Sequence, residues 1–340
     1  MIKLSFIIPC YNAEKYIGRC LDSIYNQDIP ESEFEVICVN DCSPDNMRDV
    51  ILEYQKRYSN LILIEHAENK RQGGARNTGL KNAKGKYVWF IDNDDDIREN
   101  CVGKMLSVCF ENDLDLLLFN LDSQKVNLTF IEQHETITGS SYLKKWLDTN
   151  ENERNRQLAM YSIWARLLKL DFLKNNNIYF RENMPILEDV PVAFRTFCFA
   201  QRVQALNQVN YFFRENPSSS SRTRHNADKL FNGRFGIIDE QIKLSEEIQN
   251  TSILIADWLK GSACYELSRI KMEFTRQTIG EQWKFVKLMR QHRTLAKSFI
   301  KRIGSIMSFN DKLILRYPLL LFIIGYSYRG MGFLKKKLKK

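Results

Sequence analysis

The chain has 340 residues, of which 44% are hydrophobic and 27% are charged, so the composition excludes a largely disordered protein. This length fits one large domain or two smaller ones, because a domain commonly holds roughly 100–200 residues. Much of the net charge of +9 lies in the lysines of residues 335–340, whereas nucleic-acid-binding proteins more often spread Lys and Arg along a helix. We therefore expect no nucleic acid among the partners.

The eight cysteines predict reduced, buried thiols rather than a zinc site or a disulfide framework. They form no CxxC pair, and most of them lie in apolar runs such as 36–39, where a thiol behaves as a small hydrophobe. The apolar stretch near the N-terminus is too short and too soon interrupted for a secretory signal. Because reduced thiols are typical of the cytosol, we expect a cytoplasmic location.

The first hundred residues alternate between strand and helix patterns. Apolar runs predict strands at 4–10, 36–39, 61–64 and 87–91. One-face apolar spacing predicts a helix capped by Asn12 and another from about residue 45. Repeated strand–helix–strand units predict a Rossmann-like, mainly parallel sheet flanked by helices. In such a sheet, ligands bind beyond the carboxyl ends of the strands.

The pattern is less regular after a fifth apolar strand at 114–121. Residues 161–173 and 190–200 are predicted to be helical, and 203–213 alternates as a strand does. From 228 to about 309 the spacing is helical throughout. The sequence therefore predicts an α/β fold that ends in a helical region.

An acidic run directly follows the fourth strand and is the sharpest chemical signal in the sequence. Residues 92–96 read Asp-Asn-Asp-Asp-Asp, which places four carboxylates at the end of a buried strand. Unpaired, these charges would repel each other and resist desolvation. Mg²⁺ or Mn²⁺ would offset them, because hard cations prefer carboxylate oxygens and share coordination positions with phosphates. The alternative is a solvated acidic turn that caps the next helix.

Polar residues after the first three strands suit a nucleotide, although each has a simpler alternative. Asp41 is either a turn residue or an acceptor for the N–H of a nucleobase, and Tyr11 either packs or stacks on that base. Gly73-Gly74 permits backbone shapes denied to other residues. Arg76 offers its guanidinium either to phosphate or to a structural carboxylate. Together they predict a nucleotide site.

Four ordered segments resemble glycosyltransferase family 2, namely residues 6–12, 39–45, 74–80 and 90–95. The resemblance is close over about the first 120 residues and looser through Trp164-Ala165-Arg166-Leu167-Leu168, Leu187-Glu188-Asp189-Val190 and Tyr211-Phe212-Phe213-Arg214. It implies a GT-A fold and transfer with inversion at the anomeric carbon. It also implies a single-addition enzyme, because the QxxRW motif and the membrane helices of the processive synthases do not appear.

The resemblance also implies roles for individual residues. Asp94 would bind the metal directly, with Asp92 nearer the ribose or the metal waters. Asp189, in the pair Glu188-Asp189, would deprotonate the acceptor hydroxyl. The family commonly has Gly where this chain has Cys42, so we expect no glycine-only backbone conformation there. The nucleotide pocket would be lined by Pro9, Tyr11, Asp41, Asn69, Arg76, Asp92 and Asn93, with Asp41 on the uracil of a UDP-sugar.

Direct displacement at a sugar carbon needs a base for the acceptor proton and a metal to stabilise the leaving diphosphate. Glu188 and Asp189 fit the base, and a favourable acidic helix N-terminus is the alternative interpretation. Arg222, Arg224 and His225, after a serine-rich loop, are candidates to close over the diphosphate or the acceptor. Their alternative is an exposed basic loop.

We expect three regions. Residues 1–125 would form the nucleotide-sugar-binding half, 126–225 the acceptor-binding half with the base, and 226–340 a helical region ending in an apolar and basic tail. The apolar segment 313–328 is interrupted by Arg316 and Pro318 and is shorter than the roughly 20 residues that span a bilayer. With the lysines after it, it predicts peripheral contact with the inner face of the cytoplasmic membrane. The alternative is a terminal helix packed on the domain.

The expected function is transfer of a sugar from a nucleoside-diphosphate donor to a hydroxyl of a glycan or lipid-linked acceptor, in cell-surface polysaccharide synthesis. One alternative is a sugar nucleotidyltransferase, which should have a Gly-rich phosphate loop where this chain has Pro9-Cys10-Tyr11-Asn12. Another is a non-catalytic scaffold that binds nucleotide sugars or glycans. The intact acidic run and the pair Glu188-Asp189 favour an active enzyme.

Overall fold

The computed structural model describes residues 1–123, 130–149, 163–182, 184–214, 216 and 226–322. The chain divides into two compact units. The first comprises Met1–Asn183 and Glu188–Pro217, and the second comprises Met184–Leu187 and Ser218–Lys340. The expected further division near residue 125 stays a prediction.

A nine-stranded sheet forms the first unit. Its spatial order is β3-β2-β1-β4-β8-β6-β9-β5, and β7 pairs with β9. The strands β1 to β4 are parallel, as predicted, whereas β8 runs antiparallel to both β4 and β6 and makes the sheet mixed. The strands are β1 (Leu4–Cys10), β2 (Phe34–Asn40), β3 (Leu61–Glu65), β4 (Tyr87–Phe90), β5 (Asp96–Ile97), β6 (Leu116–Ser123), β7 (Gln133–Ile137), β8 (Arg166–Lys169) and β9 (Val203–Phe213).

Helices accompany the strands of the first unit and bury their apolar stripes. The predicted stripe Ile17, Cys20, Leu21 and Ile24 of α1 is fully buried. The second predicted helix forms at α2, and the helix predicted at 190–200 forms at α7. In the described part of this unit the helices are α1 (Ile17–Tyr25), α2 (Met47–Gln55), α3 (Arg71–Asn82), α4 (Val102–Glu111), α5 (Gly139–Thr149), α6 (Leu170–Asn175) and α7 (Asp189–Phe199).

Asn12 does not cap α1, so that prediction is wrong. The helix begins at Ile17 with Tyr16 in the N-cap position. Asn12 has a φ of 52° in the left-handed region, and its backbone N–H donates to Ser43 Oγ at 2.7 Å. Asn12 is therefore held in a loop against the β2–α2 connection, and the helix starts a turn later.

The helix predicted over 161–173 is also wrong. Residues 161 and 162 lie outside the described residues, Arg166–Lys169 form β8 between β4 and β6, and α6 starts only at Leu170. Leu167 and Leu168 are both fully buried, although they point to opposite faces of the sheet. A short run of apolar residues fits a buried helix and a buried strand equally well. Here the pairing with β4 and β6 makes it a strand.

The second unit is helical, as predicted for 228–309. Its core includes the predicted stripe Phe231, Phe235, Ile238 and Ile242. The helices are α8 (Ala227–Glu247), α9 (Ile253–Phe274), α10 (Ile279–Gln291), α11 (Arg293–Ile303) and α12 (Phe309–Arg316), followed by a 3₁₀ turn at Pro318–Leu320. Within the described ranges, no helix has both the length and the apolar character needed to cross a bilayer. The basic tail at 335–340 lies outside the described residues.

Candidate active site

The polar segments after the parallel strands meet at one edge of the sheet, as predicted. The backbone N–H of Asp41, just after β2, donates to the carbonyl of Cys10 at the end of β1 at 2.9 Å. The side-chain amide of Asn93, just after β4, donates to the carbonyl of Pro9 at 2.8 Å. These bonds join the acidic run to the nucleotide-site candidates of β1 and β2.

Three carboxylates of the acidic run form a cluster that suits a divalent cation. One oxygen from each of Asp92, Asp94 and Asp95 lies within 4.8 Å of the others. A tight turn gathers them, since the N–H of Asp95 donates to the carbonyl of Asp92 at 3.1 Å. An all-oxygen set at this spacing fits the coordination preference of Mg²⁺ or Mn²⁺. The predicted ligands Asp92 and Asp94 are both in it.

Two of the four carboxylates of the run have cationic partners, which the sequence did not indicate. Asp96 accepts from Arg19 Nε and Arg214 Nε, each at 2.6 Å. Asp92 accepts from an arginine at 2.7 Å. Burial, and then the charge of Asp92, raise the pKa of Asp94, and burial raises that of Asp95. The charge that a cation would offset is therefore concentrated on these last two residues.

Tyr211 shapes this acidic turn from β9. Its hydroxyl donates to Asp95 Oδ2 at 2.6 Å and accepts from the N–H of Asp92 at 3.2 Å. The N–H of Arg214 donates to the other oxygen of Asp95 at 2.7 Å. Asp95 is thereby buried with hydrogen bonds on both oxygens. The role of Tyr211 was missed from the sequence, although the segment 211–214 belongs to the family resemblance.

Arg76 connects the acidic cluster to the candidate base pair. Its Nη2 donates to Asp92 Oδ1 at 2.7 Å and its Nη1 donates to Glu188 Oε1 at 2.6 Å. The side chain is only 1% exposed. Of the two alternatives left open by the sequence, phosphate or a structural carboxylate, this geometry favours the carboxylate. Arg76 thus holds two distant acidic segments together.

Gly73 lets the helix that carries Arg76 approach the chain that leads to the candidate base. A Cβ at Gly73 would lie 2.8 Å from the carbonyl oxygen of Arg181. No glycine in the described part of the chain has a φ in the left-handed region. The special backbone shape predicted for Gly73-Gly74 is therefore wrong for both residues. The need for glycine at residue 73 comes from close packing.

Glu188 and Asp189 lie at the N-terminus of α7. This position is compatible with both interpretations of the pair, a catalytic base and a favourable acidic helix N-terminus. Glu188 occupies the N-cap position, Asp189 is in the first turn, and both are buried. Burial, followed by the charge of Glu188, raises the pKa of Asp189 to about 8, while Arg76 acts in the opposite direction. A carboxylate with a raised pKa is a stronger base than a solvated one.

The nucleoside-site candidates also come together. Asn69 Nδ2 donates to the carbonyl of Asp41 at 2.9 Å, and the buried carboxylate of Asp41 accepts from His66 Nδ1 at 2.7 Å. Tyr11 is 49% exposed, so its side chain is accessible to a ligand. His66 was missed from the sequence, where a lone histidine after an apolar strand carries no pattern.

Cys42 departs from the expectation for its backbone. Its φ is 57°, in the left-handed region that favours glycine. Its Sγ lies 3.0 Å from the carbonyl of His66, which ties the β2 loop to the end of β3. The loop therefore keeps the conformation that a glycine would adopt most easily, and the thiol contact accompanies it. Arg222, Arg224 and His225 lie outside the described residues.

The sequence of this chain matches known glycosyltransferases. The model for glycosyl transferase family 2 matches residues 5–176. A poly(ribitol-phosphate) beta-glucosyltransferase of Bacillus spizizenii is 30% identical over 216 residues, which are 62% of this chain and 32% of that protein. The poly(ribitol-phosphate) beta-N-acetylglucosaminyltransferase TarS of Staphylococcus aureus is 30% identical over 216 residues, 63% of this chain and 35% of TarS. The chain spans about a third of the length of these two relatives.

Solved structures share the fold. The crystal structure of S. aureus TarS 1-349 in complex with UDP-GlcNAc has a TM-score of 0.67 at 23% identity, and the match covers 97% of this chain and 92% of that one. A mannosyltransferase of Pyrobaculum calidifontis in complex with GDP-Man and Mn²⁺ has a TM-score of 0.51 at 14% identity, with 95% and 87% covered. The predicted GT-A fold is confirmed. Because the family model matches half of its residues, the chain belongs to glycosyltransferase family 2.

Proposed function

We propose that this chain transfers a hexosyl or N-acetylhexosaminyl group from a nucleoside-diphosphate donor to a hydroxyl of a glycan or lipid-linked acceptor, with inversion and in a metal-dependent way. The observation that carries the proposal is the link made by Arg76. It joins the oxygen cluster at Asp92, suited to a cation, to Glu188 beside the raised-pKa carboxylate of Asp189. A metal-assisted displacement needs these two functions close together.

Asp189 acts as the base in this proposal. Its carboxylate takes the proton of the acceptor hydroxyl as the oxygen bonds to the sugar carbon and the bond to the diphosphate breaks. The hydroxyl becomes acidic only as that new bond forms, so a carboxylate is strong enough. The high pKa of Asp189 strengthens the base and also means that the fraction ionised is pH-dependent. Glu188 and Arg76 hold this end of α7 in position.

The cation would be held by Asp92, Asp94 and Asp95. When bound, it would stabilise the negative charge that develops on the leaving diphosphate. Tyr211 keeps Asp95 turned into the cluster, and Asn216 Nδ2 donates to Asp94 Oδ2 at 2.8 Å. The donors to Asp94 and Asp95 are thus neutral, and they leave the negative charge of these two carboxylates available to a cation. The complex of the P. calidifontis mannosyltransferase with Mn²⁺ supports the same class of metal here.

The donor is proposed to be a UDP-sugar, with the nucleoside against Pro9, Tyr11, Asp41, Asn69 and Asn93. The complex of TarS with UDP-GlcNAc supports this choice, as does the hydrogen-bonded group around Asp41. The names of the relatives support an acceptor related to poly(ribitol-phosphate) or another cell-surface polymer. Residues 1–125 would then hold the donor and 126–225 the acceptor.

We further propose that the C-terminal region contacts the membrane surface. Residues 218–340 carry 24 Lys and Arg but 10 Asp and Glu, whereas residues 1–217 carry 26 and 31. Phe309 and Tyr317 are 74% and 58% exposed around α12, beside Arg316. Exposed aromatic and basic side chains together are typical of interfacial segments. Co-sedimentation with anionic vesicles, lost when the lysines of 335–340 are replaced by Gln, would test this contact.

The catalytic proposal is tested by donor turnover. Purified chain is incubated with UDP-glucose or UDP-GlcNAc, with and without Mn²⁺, and UDP release is measured. We expect Mn²⁺-dependent release that falls about 10²-fold or more in Asp189→Asn, and loss of the Mn²⁺ dependence in Asp94→Ala. A thermal-shift screen of nucleotide sugars with Mn²⁺ reports binding independently of turnover. Binding of UDP-sugars without any turnover would favour a non-catalytic scaffold.

A further inference from the structure

His66 lies just after β3, and its buried side chain is not used in the proposed chemistry. Its Nδ1 lies 2.7 Å from Asp41 Oδ1, and its Nε2 lies 2.8 Å from Thr78 Oγ1 on α3. The side chains of His66 and Asp41 are 5% and 4% exposed. The imidazole therefore has a partner on each nitrogen and has no free edge for solvent.

The proton positions on this ring follow from its neighbours. Asp41 Oδ1 also accepts from the backbone N–H of Lys70 at 2.7 Å. An oxygen that accepts a backbone N–H and faces a ring nitrogen requires that nitrogen to carry a proton, so Nδ1 of His66 is the donor. The other nitrogen of a neutral ring then accepts the hydroxyl proton of Thr78.

Both donors act on the same oxygen of Asp41. Within the described residues, Oδ2 of Asp41 has no hydrogen-bond partner, whereas Oδ1 has two. His66 and Lys70 thus fix the orientation of the carboxylate, and its Oδ2 is left to accept a hydrogen bond from a ligand. Asn69, from the same loop, donates to the backbone carbonyl of Asp41 and holds the main chain as well.

We propose that His66 is a positioning residue that sets the nucleobase specificity of the site through Asp41, selecting uracil over cytosine. This inference rests on the proposed UDP-sugar donor. Uracil carries N3–H, which donates to a carboxylate oxygen. Cytosine has a bare N3, whose lone pair would face the lone pairs of Asp41 Oδ2 and be left unpaired. A fixed carboxylate with a free oxygen therefore accepts one base and rejects the other.

Two substitutions of His66 separate this role from simple packing. His66→Asn places an amide N–H near the position of Nδ1, so it keeps the donor to Asp41 and gives up the contact with Thr78. His66→Gln places its amide near the position of Nε2, so it keeps the contact with Thr78 and gives up the donor to Asp41. The two variants are similar in polarity, and each removes one of the two bonds.

Isothermal titration of the full chain with UDP and with CDP, in Mn²⁺, measures the specificity. We expect the wild type to prefer UDP, and His66→Gln to bind UDP about tenfold or more weakly with CDP nearly unchanged, the size of one charge-assisted hydrogen bond. His66→Asn should keep UDP affinity within about threefold. His66→Gln combined with Asp41→Asn should be no weaker than Asp41→Asn alone, because His66 acts through Asp41.

Equal losses in the two His66 variants, or an unchanged UDP-to-CDP ratio in His66→Gln, would overturn the inference and leave the proposed function intact. A wild-type chain that binds no UDP would instead overturn the proposed function. Circular dichroism checks folding. If His66→Gln does not fold, Thr78→Val removes only the hydroxyl at Nε2, and we expect it to keep UDP affinity within about threefold, as His66→Asn does. A tenfold or larger loss of UDP affinity in Thr78→Val would then count against the inference.

Discussion

Removing the charge of Glu188 should move the pH dependence of transfer to lower pH. The pKa of Asp189 is raised to about 8 first by burial and next by the carboxylate of Glu188. Glu188→Gln removes that second cause and keeps a side-chain oxygen that can accept from Arg76 Nη1. Both the lost repulsion and the greater net influence of Arg76 lower the pKa of Asp189. The ionised base is then available at lower pH.

The size of the effect follows from the ionised fraction of the base. With a pKa of about 8, about 3% of Asp189 is ionised at pH 6.5. A like charge removed from a buried neighbour lowers a pKa by on the order of one unit, or about 1.4 kcal/mol. At a pKa of about 7 the ionised fraction at pH 6.5 is about 24%, so we expect roughly eightfold faster transfer at that pH.

The assay is the pH profile of kcat/KM for the acceptor, which reports groups on the enzyme before the acceptor binds. Glu188→Asp is the matched control, because it shortens the side chain and keeps the charge, so its acid limb should stay near that of the wild type. Asp189→Asn should lose the limb together with the activity. An acid limb at the same pH in wild type and Glu188→Gln would refute the reasoning.

Further substitutions at Arg76, Gly73 and Tyr211 test the packing around the site by urea unfolding. Arg76→Met leaves the buried Glu188 and the partly buried Asp92 without their cation and should cost about 3–5 kcal/mol of unfolding free energy. Arg76→Lys should cost about 1.5–3 kcal/mol, because an ammonium cannot replace both arms of the fork. Gly73→Ala should destabilise by about 1–3 kcal/mol because its Cβ meets a backbone carbonyl, while Gly261→Ala, in a helix with open space, should stabilise by about 0.5–1. Tyr211→Phe should cost about 1–3 kcal/mol by leaving Oδ2 of the buried Asp95 without its donor. Equal stability of wild type and any of these variants would contradict the contact concerned.

The raised pKa of Asp189 also makes the free energy of unfolding depend on pH. The folded chain keeps the proton of Asp189 up to a pH of about 8, whereas an unfolded aspartate loses it near about 3.9. The folded state therefore binds more protons than the unfolded state between these values, and the contribution of Asp189 to stability falls as pH rises through this window. Asp189→Asn should remove this slope from the pH dependence of unfolding.

The local parts of the fold could be predicted because they depend on nearby residues. The first four strands and the polar loops after them follow from apolar runs and from chain order, and the meeting of the strand ends is a property of any parallel sheet. The helix predicted over 161–173 failed for the same reason that those strands succeeded. A continuous apolar run has no periodicity that separates a helix from a strand. Arg166–Lys169 form a strand because they pair with both β4 and β6.

The hydrogen-bond network of the site could not be predicted, because it joins residues that are far apart in sequence. Arg76 and Glu188 are separated by 112 positions, and Tyr211 and Asp95 by 116. A sequence shows that Arg76 is a cation near acidic segments, but the choice between phosphate and carboxylate depends on which group packing brings to the guanidinium. His66 is similar, since its bonds to the loop after β2 and to α3 give it a role that its neighbours in sequence do not indicate.

The cation cluster and the base should be thermodynamically linked. Asp92 is among the groups that raise the pKa of Asp189, and a cation bound at Asp92, Asp94 and Asp95 would oppose that influence. A cation that favours ionised Asp189 must itself bind more tightly when Asp189 is ionised, because coupling free energies are reciprocal. Mn²⁺ affinity, measured by titration calorimetry at pH 6.5 and 8.5, should therefore rise more steeply with pH in the wild type than in Asp189→Asn. Asp92, Asp94 and Asp95 are the same in both proteins, so the difference between their pH slopes isolates the contribution of the base. If Mn²⁺ affinity rose equally steeply with pH in the two proteins, cation binding and the ionisation of Asp189 would not be coupled.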